Sequence, residues 1–170
     1  MAGPNVTFYW DTCVFIAWLK NENRPSGEMD GVRDIVDRVK KRNASIITSA
    51  ITFAEVTEAK VGAGVINLFD DLFKRPNLGR INVDMRVAKL ARDLRDYYSA
   101  RPSEFNDKTL SVPDSIHLAT AILYHAAEFH TFDKSNRNGT LGLLPLSGNV
   151  GGHNLKVCKP ETEQPSFDLL

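Results

Sequence analysis

Apolar residues recur along this chain in two alternating rhythms, short continuous runs and spacings of three and four. Val6–Trp10 is a β-branched and aromatic run that predicts a buried strand. After Asp11 and Thr12 the rhythm changes: Val14, Phe15, Trp18 and Leu19 fall at helical spacing, so a strand feeds a helix through a tight turn. Polar Asn21–Gly31, with Pro25 and Gly27, predicts a loop; Asp30 can cap a helix reaching about Arg42, with Val32, Ile35, Val36 and Val39 on one face. Ser45–Thr48 predicts a second strand, and Ser49 a cap for a helix holding Ile51, Phe53, Ala54, Glu55 and Val56. Gly62 and Gly64 break that pattern before a short helix over Val65–Phe73, ended by Lys74, Arg75 and Pro76. Ile81–Val83 predicts a third strand. The clearest helix spans Asp84 to about Ser99, where Val87, Leu90, Ala91, Leu94, Tyr97 and Tyr98 form one stripe. Arg101–Leu110 is a polar loop, Val112–Ala126 a helix and Glu128–Phe132 a fourth strand. A loop rich in Gly and Asn runs through Gly152, Leu155–Cys158 makes a short fifth strand, and Lys159–Leu170 carries two prolines and several acids.

Strands alternating with helices imply a mainly parallel sheet of about five strands covered on both faces, a three-layer α/β/α architecture. At 170 residues the chain suits one compact domain, here residues 1–158, followed by a tail over 159–170. Twenty-one basic residues balance twenty-one acidic ones, so the whole molecule exerts no strong pull on polyanions. Any nucleic-acid binding then needs a local basic patch or a bound metal. Cys13 and Cys158 form no C-x-x-C or Cys/His cluster, which argues against a disulfide framework or a structural zinc site. The start lacks a secretory pattern, and no apolar run approaches the ~18 residues that span a bilayer. The expectation is a soluble, cytoplasmic protein with no membrane association.

The candidate chemistry lies in four carboxylates. In an open parallel sheet, ligands bind at the carboxyl edge of the strands, where the following helices begin. Asp11 and Asp133 each follow a strand, Asp114 opens a helix and Glu55 lies early in another, so all four can share one rim. Packed carboxylates repel one another, and the arrangement favours a hard divalent cation. Taken singly, each acid has an ordinary alternative. Asp11 and Asp133 can be turn residues, Ser111 and Asp114 fit the S-x-x-[DE] capping spacing, and Glu55 can be an exposed helix glutamate beside Glu58. His117 follows Asp114 by three residues and can donate a hydrogen bond near the site, or can be a satisfied, partly buried histidine. The run Lys40, Lys41, Arg42 suits a solvated helix end or a phosphate contact, while Lys134 and Arg137 lie better placed for a nucleic-acid backbone. No phosphate-cradling Gly-rich loop, nucleophile elbow or paired-histidine zinc motif occurs.

Four segments together resemble the PIN domain, and most of all the small metal-dependent ribonucleases of toxin–antitoxin modules, the VapC type. They are Phe8–Leu19 (FYWDTCVFIAWL), Thr48–Glu58 (TSAITFAEVTE), Val112–Ile122 (VPDSIHLATAI) and Glu128–Lys134 (EFHTFDK). PDSIHLATA together with TFDK is the more specific part, and the resemblance covers about residues 6–158. It implies that Asp11, Glu55, Asp114 and Asp133 are the family's four acids in order, and it puts His117 at a mostly structural position. One departure is Cys13, where the family commonly has Ser or Asn; a thiol is a poorer partner for hydrated Mg²⁺.

The resemblance implies an endoribonuclease that uses Mg²⁺ or Mn²⁺ to hydrolyse RNA phosphodiester bonds, leaving a 5′-phosphate and a 3′-hydroxyl. Asp11, Asp114 and Asp133 would be direct ligands, with Glu55 acting through water or orienting the nucleophile. It also implies an antitoxin that covers the site, and a homodimer. The alternative is a catalytically silent PIN-like module that binds RNA or a protein. An aspartyl phosphatase would need D-x-D after the first strand, where this chain has Asp11, Thr12, Cys13; a phosphoacceptor receiver domain would need an early acidic pair.

Overall fold

A computed structural model describes residues 5–25, 27–134 and 139–163. In chain order it places β1 (Val6–Trp10), α1 (Thr12–Leu19), α2 (Glu28–Lys40), β2 (Ala44–Ser49), α3 (Thr52–Glu58), α4 (Ala63–Leu72) and β3 (Leu78–Ile81). Then follow α5 (Met85–Ser99), α6 (Val112–Leu123), β4 (Glu128–His130), a 3₁₀ turn at Leu144–Leu146 and β5 (Lys156–Cys158). The strands form one sheet in the order β3-β2-β1-β4-β5, with every pairing parallel. The expected three-layer α/β/α architecture is thus the one found.

Central β1 shows how the layers arise. Phe8 and Trp10 point to one face and join Val14, Phe15, Ile35, Val36 and Phe69 from α1, α2 and α4. Tyr9 points to the other and packs with Leu94 and Tyr98 of α5 and Leu118 of α6. Trp10 is wholly buried, with its ring edge-on to Phe15 and Trp18. The chain travels from β1 through β2 to β3, then crosses to β4 on the opposite side of β1. Right-handed crossovers in opposite directions put α1–α4 on one face and α5–α6 on the other. The reversal makes a crevice between the carboxyl ends of β1 and β4. Asp11 directly follows β1, and Asp133 lies three residues past the end of β4.

Several boundaries differ from expectation. The helix expected from Asp30 starts earlier, at Glu28, so Asp30 and Glu28 lie in its first turn and suit the positive end of its dipole. Ser49 ends β2, and α3 begins at Thr52 without a side-chain cap; the Ser49 hydroxyl accepts instead from the Ile51 N–H at 3.4 Å. Gly62 and Gly64 sit at the start of α4. The third strand is Leu78–Ile81 because Ile46–Ser49 of β2 pairs there; a methyl on Gly79 would lie 3.1 Å from the Ile47 side chain. Helix α6 stops at Leu123, where the chain turns through His125 at a φ of 52°. β4 ends at His130, level with the last residues of β1 and β5. The tail is docked as far as it is described: Pro160 is buried on α2, and a methyl on Gly31 would collide with its carbonyl oxygen.

Candidate active site

Asp11 is the N-cap of α1 and is only 8% exposed. Its Oδ1 accepts the Thr12 N–H at 2.7 Å, and its Oδ2 accepts the Thr131 hydroxyl at 2.8 Å and the Cys13 thiol at 3.3 Å. Its own N–H donates to the His130 carbonyl at 3.0 Å, closing the seam between β1 and β4. These donors point both carboxylate oxygens in fixed directions while leaving lone pairs on each.

Asp114 lies in the first turn of α6, where the capping pattern and the rim position coincide. The Ser111 hydroxyl accepts the Asp114 N–H at 3.2 Å and donates to Asp114 Oδ2 at 2.5 Å. Burial pushes the Asp114 carboxyl up to about 6; Ser111 opposes this, and the charges of Asp11 and Asp133 add to the rise. Asp133 follows β4, with its N–H on the Thr131 hydroxyl at 3.1 Å. Asp11, Asp114 and Asp133 line one open depression together with Cys13, Arg24, Phe132 and Lys134.

Glu55 stands beside this depression. Its Oε2 accepts the Thr12 hydroxyl at 2.5 Å and lies 2.7 Å from His117 Nε2. Burial pushes Glu55 up, but the hydrogen bond and charge of His117, with Thr12, outweigh it and hold the carboxyl below its ordinary value. His117 is itself buried, 3.7 Å from Asp11 Oδ1 on the Nε2 side and 2.6 Å from the Tyr9 hydroxyl on the Nδ1 side. Burial lowers its proton affinity, yet Glu55, Asp11 and Asp114 outweigh that and raise it. The structure therefore brings three aspartates to one depression and joins Glu55 to them through Thr12 and His117.

Sequence reasoning missed several groups here. Thr12 and Thr131 hold the acids, and a threonine beside an acid is too common to single out. Arg24 came from a stretch read only as loop. Its guanidinium sits 3.9 Å above the Phe132 ring and pairs with Glu22 at 2.9 Å. Lys134 lies 3.5 Å from Glu28, which also pairs with Lys159. Arg137 lies outside the described residues. Lys40, Lys41 and Arg42 stand at the opposite edge of the sheet, where β2 begins, far from the acids.

A second polar cluster occupies the β4–β5 edge. Among the described residues, Glu128, His130 and Cys158 have ligand atoms all within 4.8 Å of one another. One carboxylate, one imidazole and one thiol could hold a divalent ion of the zinc class, but this is not the all-oxygen set that Mg²⁺ prefers. Here Glu128 is engaged by His130 at 2.8 Å and Lys156 at 2.7 Å, which together hold it at about 2 despite burial. The rim aspartates offer oxygen donors alone. Their oxygen donors and mutual repulsion fit a hydrated hard cation, which keeps several of its waters.

Comparisons with known proteins agree with this fold. The PIN domain family model matches residues 8–138, a span holding all four acids. A chain of the VapBC2 structure from Rickettsia felis, bound to a DNA fragment from its promoter, superposes with a TM-score of 0.59 at 14% identity. That match covers 89% of this chain and 98% of the other. A chain of a toxin–antitoxin complex from Klebsiella pneumoniae gives 0.53 at 20% identity, covering 91% and 98%. At such identities these likenesses speak for the fold. No curated protein matches the chain. With the family match spanning most of the sequence and the sheet order in place, the chain belongs to the PIN domain family.

Proposed function

We propose that the protein is a metal-dependent endoribonuclease, with Asp11, Asp114 and Asp133 holding Mg²⁺ or Mn²⁺ and Glu55 completing the acidic site. The observation that carries this reading is the convergence of three aspartates, from α1, α6 and the end of β4, on one depression. A cation bound there would lower the pKa of a water and offset charge on the phosphodiester. The chain's own groups prepare the place. Thr12 and Thr131 orient Asp11, Ser111 orients Asp114, and Thr12 with His117 orients Glu55. Arg24 and Lys134 border the same depression, where they suit the phosphates flanking the cleaved bond.

The test is incubation with varied RNAs and Mg²⁺ or Mn²⁺, beside Asp11→Asn and Asp133→Asn. Cleavage by the wild type alone, leaving 5′-phosphates, is expected. Full activity in both variants would overturn the assignment. RNA binding without cleavage would instead favour a silent binding module. The fold likeness to chains from toxin–antitoxin assemblies supports a further reading, that a small antitoxin binds the protein; the family resemblance adds that it covers the site and that the protein acts as a homodimer. Sedimentation of the protein alone, and co-purification with the product of an adjacent reading frame, would test it.

A further inference from the structure

We propose that His117, backed by Tyr9, is a positioning residue that fixes the Glu55 carboxylate toward the cation of the acidic site. The inference rests on the metal-site reading above but concerns residues outside the four acids. The Ser49 N–H donates to the Tyr9 hydroxyl at 2.9 Å, so the phenol's own proton is free to go to His117 Nδ1, 2.6 Å away. A histidine's tautomer is set by the bond made at its other nitrogen. With Nδ1 accepting, the imidazole proton sits on Nε2 and is donated to Glu55 Oε2. If the ring takes a second proton, Tyr9 accepts at Nδ1 instead, and Nε2–H still faces Glu55. Positioning is therefore independent of the charge on the ring.

Two features make the arrangement more than a satisfied buried histidine. The Thr12 hydroxyl and His117 both converge on Oε2, and among the described residues no hydrogen bond is taken by Oε1. The carboxylate is thus pinned by one oxygen and offers the other. The support is also rigid: Tyr9 and His117 are at most 1% exposed, and the Tyr9 ring stacks on Phe129 at 4.9 Å and meets the His117 ring edge-on. Burial holds the Tyr9 phenol protonated. Outer partners of this kind typically change metal affinity by about 10–100-fold when removed.

The experiment is Mn²⁺ titration by calorimetry of the wild type, His117→Ala, His117→Gln, Glu55→Gln and the His117→Ala/Glu55→Gln double variant, with RNA cleavage measured in parallel. Mn²⁺ affinity should fall about 10–100-fold in His117→Ala and less in His117→Gln, whose amide N–H can reach toward Glu55. The double variant should be no worse than Glu55→Gln alone, since His117 acts through that carboxylate. For cleavage, kcat should fall with KM for RNA nearly unchanged. Tyr9→Phe, the mildest change, should shift the nitrogen NMR signals of His117 away from the Nε2–H tautomer. Folded variants that bind Mn²⁺ as the wild type does, or losses that simply add in the double variant, would overturn the inference. A wild type that binds Mn²⁺ with these couplings but cleaves no RNA would overturn the nuclease reading alone. A wild type that binds no Mn²⁺ would overturn both.

Discussion

Asp114 carries the most legible conflict at the scale of single residues. Its folded proton affinity is raised, so ionising it costs stability, and that cost appears as pH rises from about 4 through about 6. Asp114→Asn should therefore stabilise the cation-free protein at pH 7.5 by about 1–3 kcal/mol, or several degrees in Tm. At pH 4, where the aspartate is already protonated, the gain should vanish. Thermal melts at the two pH values in EDTA check this, and equal shifts at both would mean that charge repulsion is not the cause. The three aspartates that share the depression were readable from their positions after strands and at a helix start, whereas Glu55 joins them only through Thr12 and His117. The supports were not readable, because Thr12, Thr131 and Ser111 are ordinary residues whose role depends on which strands and helices become neighbours. His117 shows the same limit. Its spacing from Asp114 suggested the right helical side, but its bonds run to Glu55 and Tyr9, which are distant in sequence.

Elements were legible where a periodic face met a clear cap, as in α5, whose Asp84 accepts the N–H groups of Arg86 and Val87. They were less legible where a neighbour decides. β3 took Leu78–Ile81 over the more apolar-looking Ile81–Val83, since the partner strand set the register. The β4–β5 edge offers a test at this scale. Glu128 is held at about 2 by His130, with Lys156 helping, against an ordinary value of 4.5. A depressed carboxyl stabilises the fold above its unfolded pKa, and that contribution is lost as pH falls from about 4.5 toward 2. Glu128→Gln should cost about 1–3 kcal/mol at pH 7, and the gap to wild type should close across that acid window. Urea melts over a pH series measure it. The docked tail makes a second case. Gly31→Ala puts a methyl against the Pro160 carbonyl, and should cost about 1–3 kcal/mol while exposing the chain at Glu161 to a glutamate-specific protease. Unchanged proteolysis would show that the segment yields without detaching. Pro160 reads as a breaker in the sequence; only the glycine opposite reveals that it is packed.

The whole molecule is organised around the reversal of strand order beside β1. A cation bound at that seam would interact with the native state alone, since the contributing segments are far apart in the chain. Mg²⁺ or Mn²⁺ should raise the Tm of the wild type, by an amount equivalent to about 2.7 kcal/mol at a hundred times the dissociation constant. Asp11→Asn should abolish the shift. An equal shift in that variant would place the stabilising ion elsewhere, with Glu128, His130 and Cys158 the first candidates among the described residues.

One consequence follows from Trp10. This indole is fully enclosed and joined by a single peptide bond to Asp11, whereas Trp18 is only half-buried. Its emission will therefore be blue-shifted and shielded from aqueous quenchers, next door to Asp11. The indole sits in the core one residue before Asp11, so a cation held by that carboxylate should register as a change in the intrinsic fluorescence of unlabelled protein.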